Sequence, residues 1–561
     1  MCGISGMLLK STLTHQQKIQ LQKDFFNASR NINHRGPDRS SYTILSDPVN
    51  IMIDFERLSI LDLSTKGDQP FKYENETGNR TIYVMCNGEI YNHNELCKEH
   101  DLHPVSGSDC EVIPLLYKKY GITEIDKICN MFNSEHAFMI LDVDTVTGDY
   151  TLVLSSDRFG IRPLFVGWND QGFYFSSELQ GLPCLSDMTA HVERFKPRCY
   201  AIITKQNGIM SDLQYHQYYS FQDIKIQTCD LQTYYDSIYT SLNNAVIARL
   251  DSDRPYGCLL SGGVDSSLVS ALAAKHLAKF GKTLRTFSIG MPGGTDEKFA
   301  KIVAEYIGSI HTHIMVSEYD FVAALPHIVN TIGSFDITTV RASTGQYLIS
   351  QWISKNTDIK VLLCGDGSDE VCGSYKYFHN APNSIAFNEE CIRLLEDIHL
   401  YDGLRADRCI AHFGIEARFP FLDYHFTEAY LSCDPAIRMP QDQVEKWLLR
   451  QSFKQQKILP EEVLFRSKEA FSDGVSSQKR SWYQVIQENV KNLYTDEEFT
   501  SIIQNYEHLK PVSKESLWFR ELFCKKFGEN ISVSKTIPYY WLPKWNGDIT
   551  EPSARVLSSY K

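Results

Sequence analysis

The sequence predicts a two-part chain, an α+β first part rich in short strands, then an α/β second part with a parallel sheet and a helical C-terminal portion. Three observations carry this reading. Residues 2–205 hold many short alternating apolar and polar runs, with helix-like stretches near 15–32 and 109–120. From 231 onward strand-like and helix-like runs alternate, as in 284–290, 297–307 and 359–364, which is the pattern of a parallel sheet with helices on both faces. At 561 residues the chain is too long for one ordinary core. The expected boundaries are 1–205, a connection at 206–230, a second domain at 231–545 and a tail at 546–561.

A 43% share of hydrophobic residues against 22% charged is that of a globular protein with real cores. The net charge of −13 argues against a nucleic-acid partner, which favours a basic face. Fifteen cysteines, odd in number and without C-x-x-C spacing, read as reduced thiols in a cytoplasmic chain. No stretch is long and apolar enough for a membrane span, and the first residues do not read as a secretory signal.

The second part is organised around 256–268, Tyr-Gly-Cys-Leu-Leu-Ser-Gly-Gly-Val-Asp-Ser-Ser-Leu. Cys258, Leu259 and Leu260 read as a short buried strand, Ser261-Gly262-Gly263 as a turn, and Asp265-Ser266-Ser267 as a helix start, with Gly281 beyond its end. Free N–H groups at such a helix start favour an anion, and the glycines let it approach closely. The spacing is not that of a Walker A loop. A second strand-and-turn, Val361 to Glu370, brings Gly365-Asp366-Gly367-Ser368-Asp369. Acids beside a phosphate loop repel it unless a divalent cation lies between, so Asp265 and Asp369 are the candidate Mg²⁺ ligands. Capping of two helices is the rival account. Thr338, Thr339 and Arg341 offer hydroxyls and a guanidinium suited to an amino-acid carboxylate, though a helix N-cap explains the threonines about as well. Lys468 could place a point charge on phosphate. His311 and His313 share a strand face, and ordinary packing accounts for them.

In the first part Cys2 follows the initiator methionine. Once Met1 is removed, Cys2 carries a thiol and an α-amine of pKa roughly 7.7–8.0 on one residue, a nucleophile with its own base. Downstream lie Asn33-His34-Arg35-Gly36-Pro37-Asp38, Arg57-Leu58-Ser59-Ile60, Asn87-Gly88-Glu89, Ser108-Asp109 and Asp157–Leu164.

These signals, in this order, resemble a class II glutamine amidotransferase domain of the N-terminal-nucleophile type, an αββα sandwich. The resemblance implies that Cys2 attacks the glutamine amide and that the Asn87 side chain and Gly88 N–H hold the oxyanion. It also implies that Arg57, Leu58, Ser59, Ile60, Leu61, Glu89 and Asp109 bind the glutamine. Ser-Gly-Gly-x-Asp-Ser resembles the pyrophosphate loop of the N-type ATP pyrophosphatases. With Gly-Asp-Gly-Ser-Asp-Glu, Thr-Thr-Val-Arg-Ala-Ser, Pro-Phe-Leu-Asp, Trp541–Trp545 and Pro552–Arg555, the whole chain resembles the eukaryotic-type glutamine-hydrolysing asparagine synthetases. That implies ATP at Leu259, Ser261, Gly262, Gly263, Asp265, Ser266, Ile289, Cys364 and Gly365, aspartate at Thr338, Thr339 and Arg341, and catalytic parts for Asp366 and Lys468. It further implies ligase chemistry through β-aspartyl-AMP, an internal ammonia channel and a homodimer. Relatives that close β-lactam rings lack the working cysteine, and a degenerate non-catalytic homologue would lack one of the intact loops. Three departures stand out: Ser134–Phe138 replaces a Gly-x-Phe-Ala-Phe strand, Glu56 stands where His is usual, and Asp366 where the family has Glu.

Overall fold

The computed structural model describes residues 1–10, 12–468, 474–476, 480–547, 549 and 551–552. The chain divides into two compact units, one of Met1–Ser220 with Ala411–Ile415 and Lys525–Thr536, the other of Phe221–Ile410, Glu416–Cys524 and Ile537–Lys561.

The first unit is sheet-rich. The strand Gly3–Leu9 runs antiparallel between Ile51–Arg57 and Gly172–Ser176 in a six-stranded sheet. A second, seven-stranded sheet is centred on Arg80–Ile90, Ser134–Asp144 and Tyr150–Ser156. Ile4, Leu8, Ile53 and Phe55 of one sheet share a core with Met85, Met139 and Leu154 of the other, so alternate residues of each strand point into the space between them. The second sheet turns its other face, with Ile82, Val84 and Phe138, toward the helices Val112–Tyr120 and Ile125–Met131. The expected 15–32 helix is α-helical over His15–Ser29 and tightens to a 3₁₀ turn over Arg30–Arg35. Part of the stretch read as a connection belongs to this unit, since Gln214–Gln217 pairs with Cys199–Gln206.

The two packing departures have local partners. Glu135 pairs with Arg162 at 2.9 Å, both side chains fully buried, and the His136 ring stacks on Phe138 at 5.1 Å. Burial pushes His136 down to about 3, so it packs as a neutral ring. Glu56 is buried and accepts from Ser40, and burial raises its carboxyl above the ordinary range.

The second unit carries a five-stranded parallel sheet ordered Ile310–Met315, Arg285–Gly290, Tyr256–Leu259, Val361–Leu363, Glu416–Arg418. Helix Val264–Ala278 follows the strand Tyr256–Leu259 in the chain and helix Asp296–Ile307 follows Arg285–Gly290, as alternation predicts. The carboxyl ends of the central strands form the place where such sheets bind ligands.

Candidate functional sites

In the first unit the Cys2 site is built from both sheets. Cys2 immediately precedes the strand Gly3–Leu9, and its thiol donates to the Leu58 carbonyl at 3.7 Å. Its backbone nitrogen donates to Asn87 Oδ1 at 2.9 Å, and Arg35 Nε donates to its carbonyl at 3.0 Å. Asn87 and Gly88 sit inside the strand Arg80–Ile90. The Asn87 side chain is fully buried and its Nδ2 has no hydrogen-bond partner. An orphan donor beside a thiol is what an oxyanion pocket requires before its substrate arrives. Gly88 is fixed by crowding, because a Cβ there would lie 2.1 Å from the Glu135 carbonyl oxygen.

The motif at 33–38 braces this site. Arg35 is fully buried and donates to Glu178 at 2.8 Å, while Asp38 accepts from the Ser59 N–H at 2.9 Å. Arg57 is engaged more completely than its expected role implies. Its terminal N–H groups reach the Ser64 carbonyl at 2.7 Å, Asp68 at 2.5 Å, Leu61 at 3.4 Å and the Asp62 carbonyl. Arg57 thereby holds the 61–68 loop in place. Ile60 is buried beside it, and Glu89 is buried opposite Glu135 in register. Asp109 opens a 3₁₀ turn and accepts from the Ile90 N–H at 2.6 Å.

In the second unit a cavity of about 160 Å³ opens at the carboxyl ends of the central strands. Its apolar part is lined by Leu259, Phe287, Ile289 and Ile349, and Ser261, Gly263, Asp265, Ser266 and Gly365 form the adjoining loops. Gly262 and Cys364 lie in the same loops behind the lining residues. Gly262 takes φ +79°, and a Cβ would meet the Ala300 nitrogen at 2.5 Å. Gly263 caps the helix Val264–Ala278 without a side-chain bond, leaving the helix start open to an anion.

The two expected metal ligands are brought together around an ammonium the motifs do not reveal. Lys446 Nζ lies 2.6 Å from Asp265 and 2.7 Å from Asp369, and Lys468 contacts Asp369 at 2.5 Å. Burial alone would raise the Asp369 carboxyl, but the two lysines outweigh it and hold it far below the carboxylate range. Lys446 stands where a cation shared by both carboxylates would, so this pair suits a divalent ion. Among the described residues no cluster of three or more metal-ligating side chains occurs, so phosphate oxygens and water would have to complete the shell. Lys446 follows no glycine turn and is betrayed only by its backbone, φ +56° at the start of the helix Trp447–Lys454.

The residues expected at the aspartate site have partners within the fold. Arg341 is buried and its guanidinium is taken by two carboxylates, Glu515 at 2.5 and 2.8 Å and Glu551 at 2.6 Å. Thr339 gives its hydroxyl to Asp336 at 2.7 Å in the N-cap of the helix Ile337–Asn356, and Thr338 bonds the Trp541 carbonyl at 3.4 Å. None of the three lines the cavity among the described residues. The N-cap account fits Thr339, and the Arg341 guanidinium is held between the buried Glu515 and the half-buried Glu551.

Asp366 does line the cavity, within a polar group the motifs did not assign. Gln346 Nε2 donates to it at 3.1 Å and Arg405 lies 3.1 Å away. Burial raises the Asp366 carboxyl, which Arg405 only partly offsets. Of the 466–474 stretch, Arg466, Ser467 and Lys468 line the cavity, and residues 469–473 lie outside the described residues, as do Ser553, Ala554 and Arg555. His311 and His313 each hydrogen-bond Ser288, at 3.0 and 2.8 Å, and burial lowers His311 to about 4, so both pack as neutral rings.

Residues 1–235 match the family model described as glutamine amidotransferase domain, and 237–389 and 382–537 the model described as asparagine synthase. The chain is 37% identical to "Asparagine synthetase [glutamine-hydrolyzing]" of Cricetulus griseus, with 100% of this chain and 99% of that one covered. It is 38% identical to "Probable asparagine synthetase [glutamine-hydrolyzing]" of Acanthamoeba polyphaga mimivirus (99% and 100%), and 36% identical to the Homo sapiens protein (100% and 99%).

Proposed function

The chain belongs to the glutamine-hydrolysing asparagine synthetase family, and from that premise we infer that it makes asparagine from aspartate, ATP and glutamine. The observation that supports the glutamine step best is the orphaned Asn87 Nδ2 beside Cys2. With Met1 removed, the Cys2 amine takes the thiol proton and the sulfur adds to the glutamine side-chain carbonyl. Asn87 Nδ2 and the Gly88 N–H receive the oxyanion, ammonia leaves, and water releases glutamate from the thioester. Arg57, with the 58–61 segment, Glu89 and Asp109, would wall the glutamine pocket. We read the first unit as an N-terminal-nucleophile sandwich on this basis.

In the second unit ATP would lay its adenosine against Leu259 and Ile289 and its phosphates over the Ser261–Ser266 loop. Mg²⁺ held by Asp265 and Asp369 would neutralise phosphate charge when bound. Lys446 and Lys468 bring two further positive charges to the same place. The aspartate β-carboxylate attacks the α-phosphorus, pyrophosphate leaves, and ammonia displaces AMP from β-aspartyl-AMP. A carboxylate is a poor electrophile, and AMP supplies the leaving group. Neutral ammonia is the nucleophile, so exclusion of water around the adenylate favours the step.

The test supplies glutamine labelled in its amide nitrogen with aspartate, ATP and Mg²⁺. Labelled asparagine with AMP and pyrophosphate is expected; ADP, or no asparagine, sinks the reading. Cys2→Ala should stop glutamine use and leave synthesis from ammonium.

A further inference from the structure

If Arg341 is closed to ligands, something else must hold the amino-acid head of aspartate. One end of the cavity carries six side chains joined in a hydrogen-bonded ring, all of them lining it. Asp366 accepts from Gln346, whose Oε1 accepts from Arg405 at 2.9 Å. Arg405 Nε donates to Asp402 at 2.7 Å, and Tyr375 reaches Asp402 at 3.0 Å and Glu370 at 2.5 Å. Asp402 and Arg405 lie three apart at the start of the helix Asp402–Ala411, so one face of that helix presents both.

The charge of this ring is unbalanced. Asp366, Glu370 and Asp402 face one cation, Arg405. Such an end of a cavity is short of positive charge, and an α-ammonium supplies it. It also holds the donors an α-carboxylate needs, in the Arg405 guanidinium and the Gln346 amide. Lys468 and Asp369 line the same cavity on the phosphate side. A short amino acid held by its head at the ring would extend its side-chain carboxylate toward them.

Resting on the asparagine synthetase reading, we propose that Arg405 and Gln346 bind the α-carboxylate of aspartate while Asp402 and Glu370 bind its α-ammonium. Selectivity follows from the arrangement. A site built to hydrogen-bond a charged group rejects an analogue lacking it by several powers of ten, because its own groups are left unpaired.

The experiment is aspartate-dependent exchange of labelled pyrophosphate into ATP by the full-length protein with Mg²⁺. Asp402→Asn and Arg405→Lys should each raise the KM for aspartate at least tenfold with the KM for ATP within twofold, the latter showing an intact cavity. Succinate, which lacks the amino group, should support exchange with a kcat/KM at least a thousandfold below aspartate in the unaltered protein. Unchanged aspartate KM values in both variants, or succinate within tenfold of aspartate, overturn the proposal. So does an Arg341→Lys variant that raises the aspartate KM while Arg405→Lys does not. Absence of any aspartate-dependent exchange in the unaltered protein would instead bring down the functional reading on which the proposal rests.

Discussion

Asn87→Leu separates what the Asn87 amide does for stability from what it does for chemistry. Leucine keeps nearly the same volume in a fully buried strand position. The change removes the 2.9 Å bond from the Cys2 nitrogen, about 1 kcal/mol, and leaves that nitrogen less well satisfied. It also removes an orphaned donor that costs the folded protein roughly 1–3 kcal/mol. These contributions oppose each other, so the unfolding free energy should move by no more than about 1–2 kcal/mol. The transition state loses an oxyanion donor, which lowers kcat for glutamine hydrolysis on the order of 10²–10³-fold. Glutamate release, ammonium-dependent asparagine formation and urea unfolding on one preparation make the test. Ammonium-dependent synthesis should persist. A folded variant that hydrolyses glutamine within tenfold of the unaltered protein refutes the oxyanion assignment. A loss of more than about 3 kcal/mol refutes the claim that the native Nδ2 is a stored cost.

Two further outcomes follow from buried charge. Asp54 is fully buried, and burial, then the nearby Glu56, pushes its carboxyl from 3.8 to about 8. Its folded value lies above its unfolded one, so stability is greatest in acid, falls as pH rises between these values, and levels off above about 8. Asp54→Asn should abolish that slope and add stability on the order of 5 kcal/mol at most above pH 8, read from thermal melts across pH; a parallel slope in the variant would exclude Asp54 as its cause. Lys446→Met leaves Asp265 and Asp369 without their shared cation and should destabilise by roughly 3–5 kcal/mol. Millimolar Mg²⁺ should then raise its melting temperature more than that of the unaltered protein, and equal responses would argue against a cation site between the two acids.

The parts of this molecule that were legible in the sequence are those where backbone geometry forces a residue type. Gly262 must turn with positive φ against Ala300, and Gly88 must pass the Glu135 carbonyl, so the glycines and the polar residues between them stand out as motifs. Periodicity likewise foretold the strand–helix alternation of the second unit, because each element must bury one face. Polar residues at a site interrupt the apolar pattern without interrupting the ladder, as Asn87 does within the strand Arg80–Ile90. Lys446 was hidden for a different reason. A lysine between two carboxylates needs no special neighbour in sequence, and its partners lie 181 and 77 residues away.

Residue type also says nothing about whether a group's bonding capacity is already met, and that distinction separates Arg341 from Arg405. Both are buried guanidiniums beside two acids. At Arg341 the fold supplies Glu515 and Glu551, away from the cavity, and the charges close on themselves. At Arg405 the acids exceed the cations, and the whole group lines a cavity. The same contrast appears in the first unit, where Arg57 is spent on its own loop while Asn87 Nδ2 is not. Polar capacity left unmet in a buried place is costly, and a fold retains it where a ligand completes it. That criterion is what supports our placing the glutamine carbonyl at Asn87 and the head of aspartate at the Asp402–Arg405 ring rather than at Arg341.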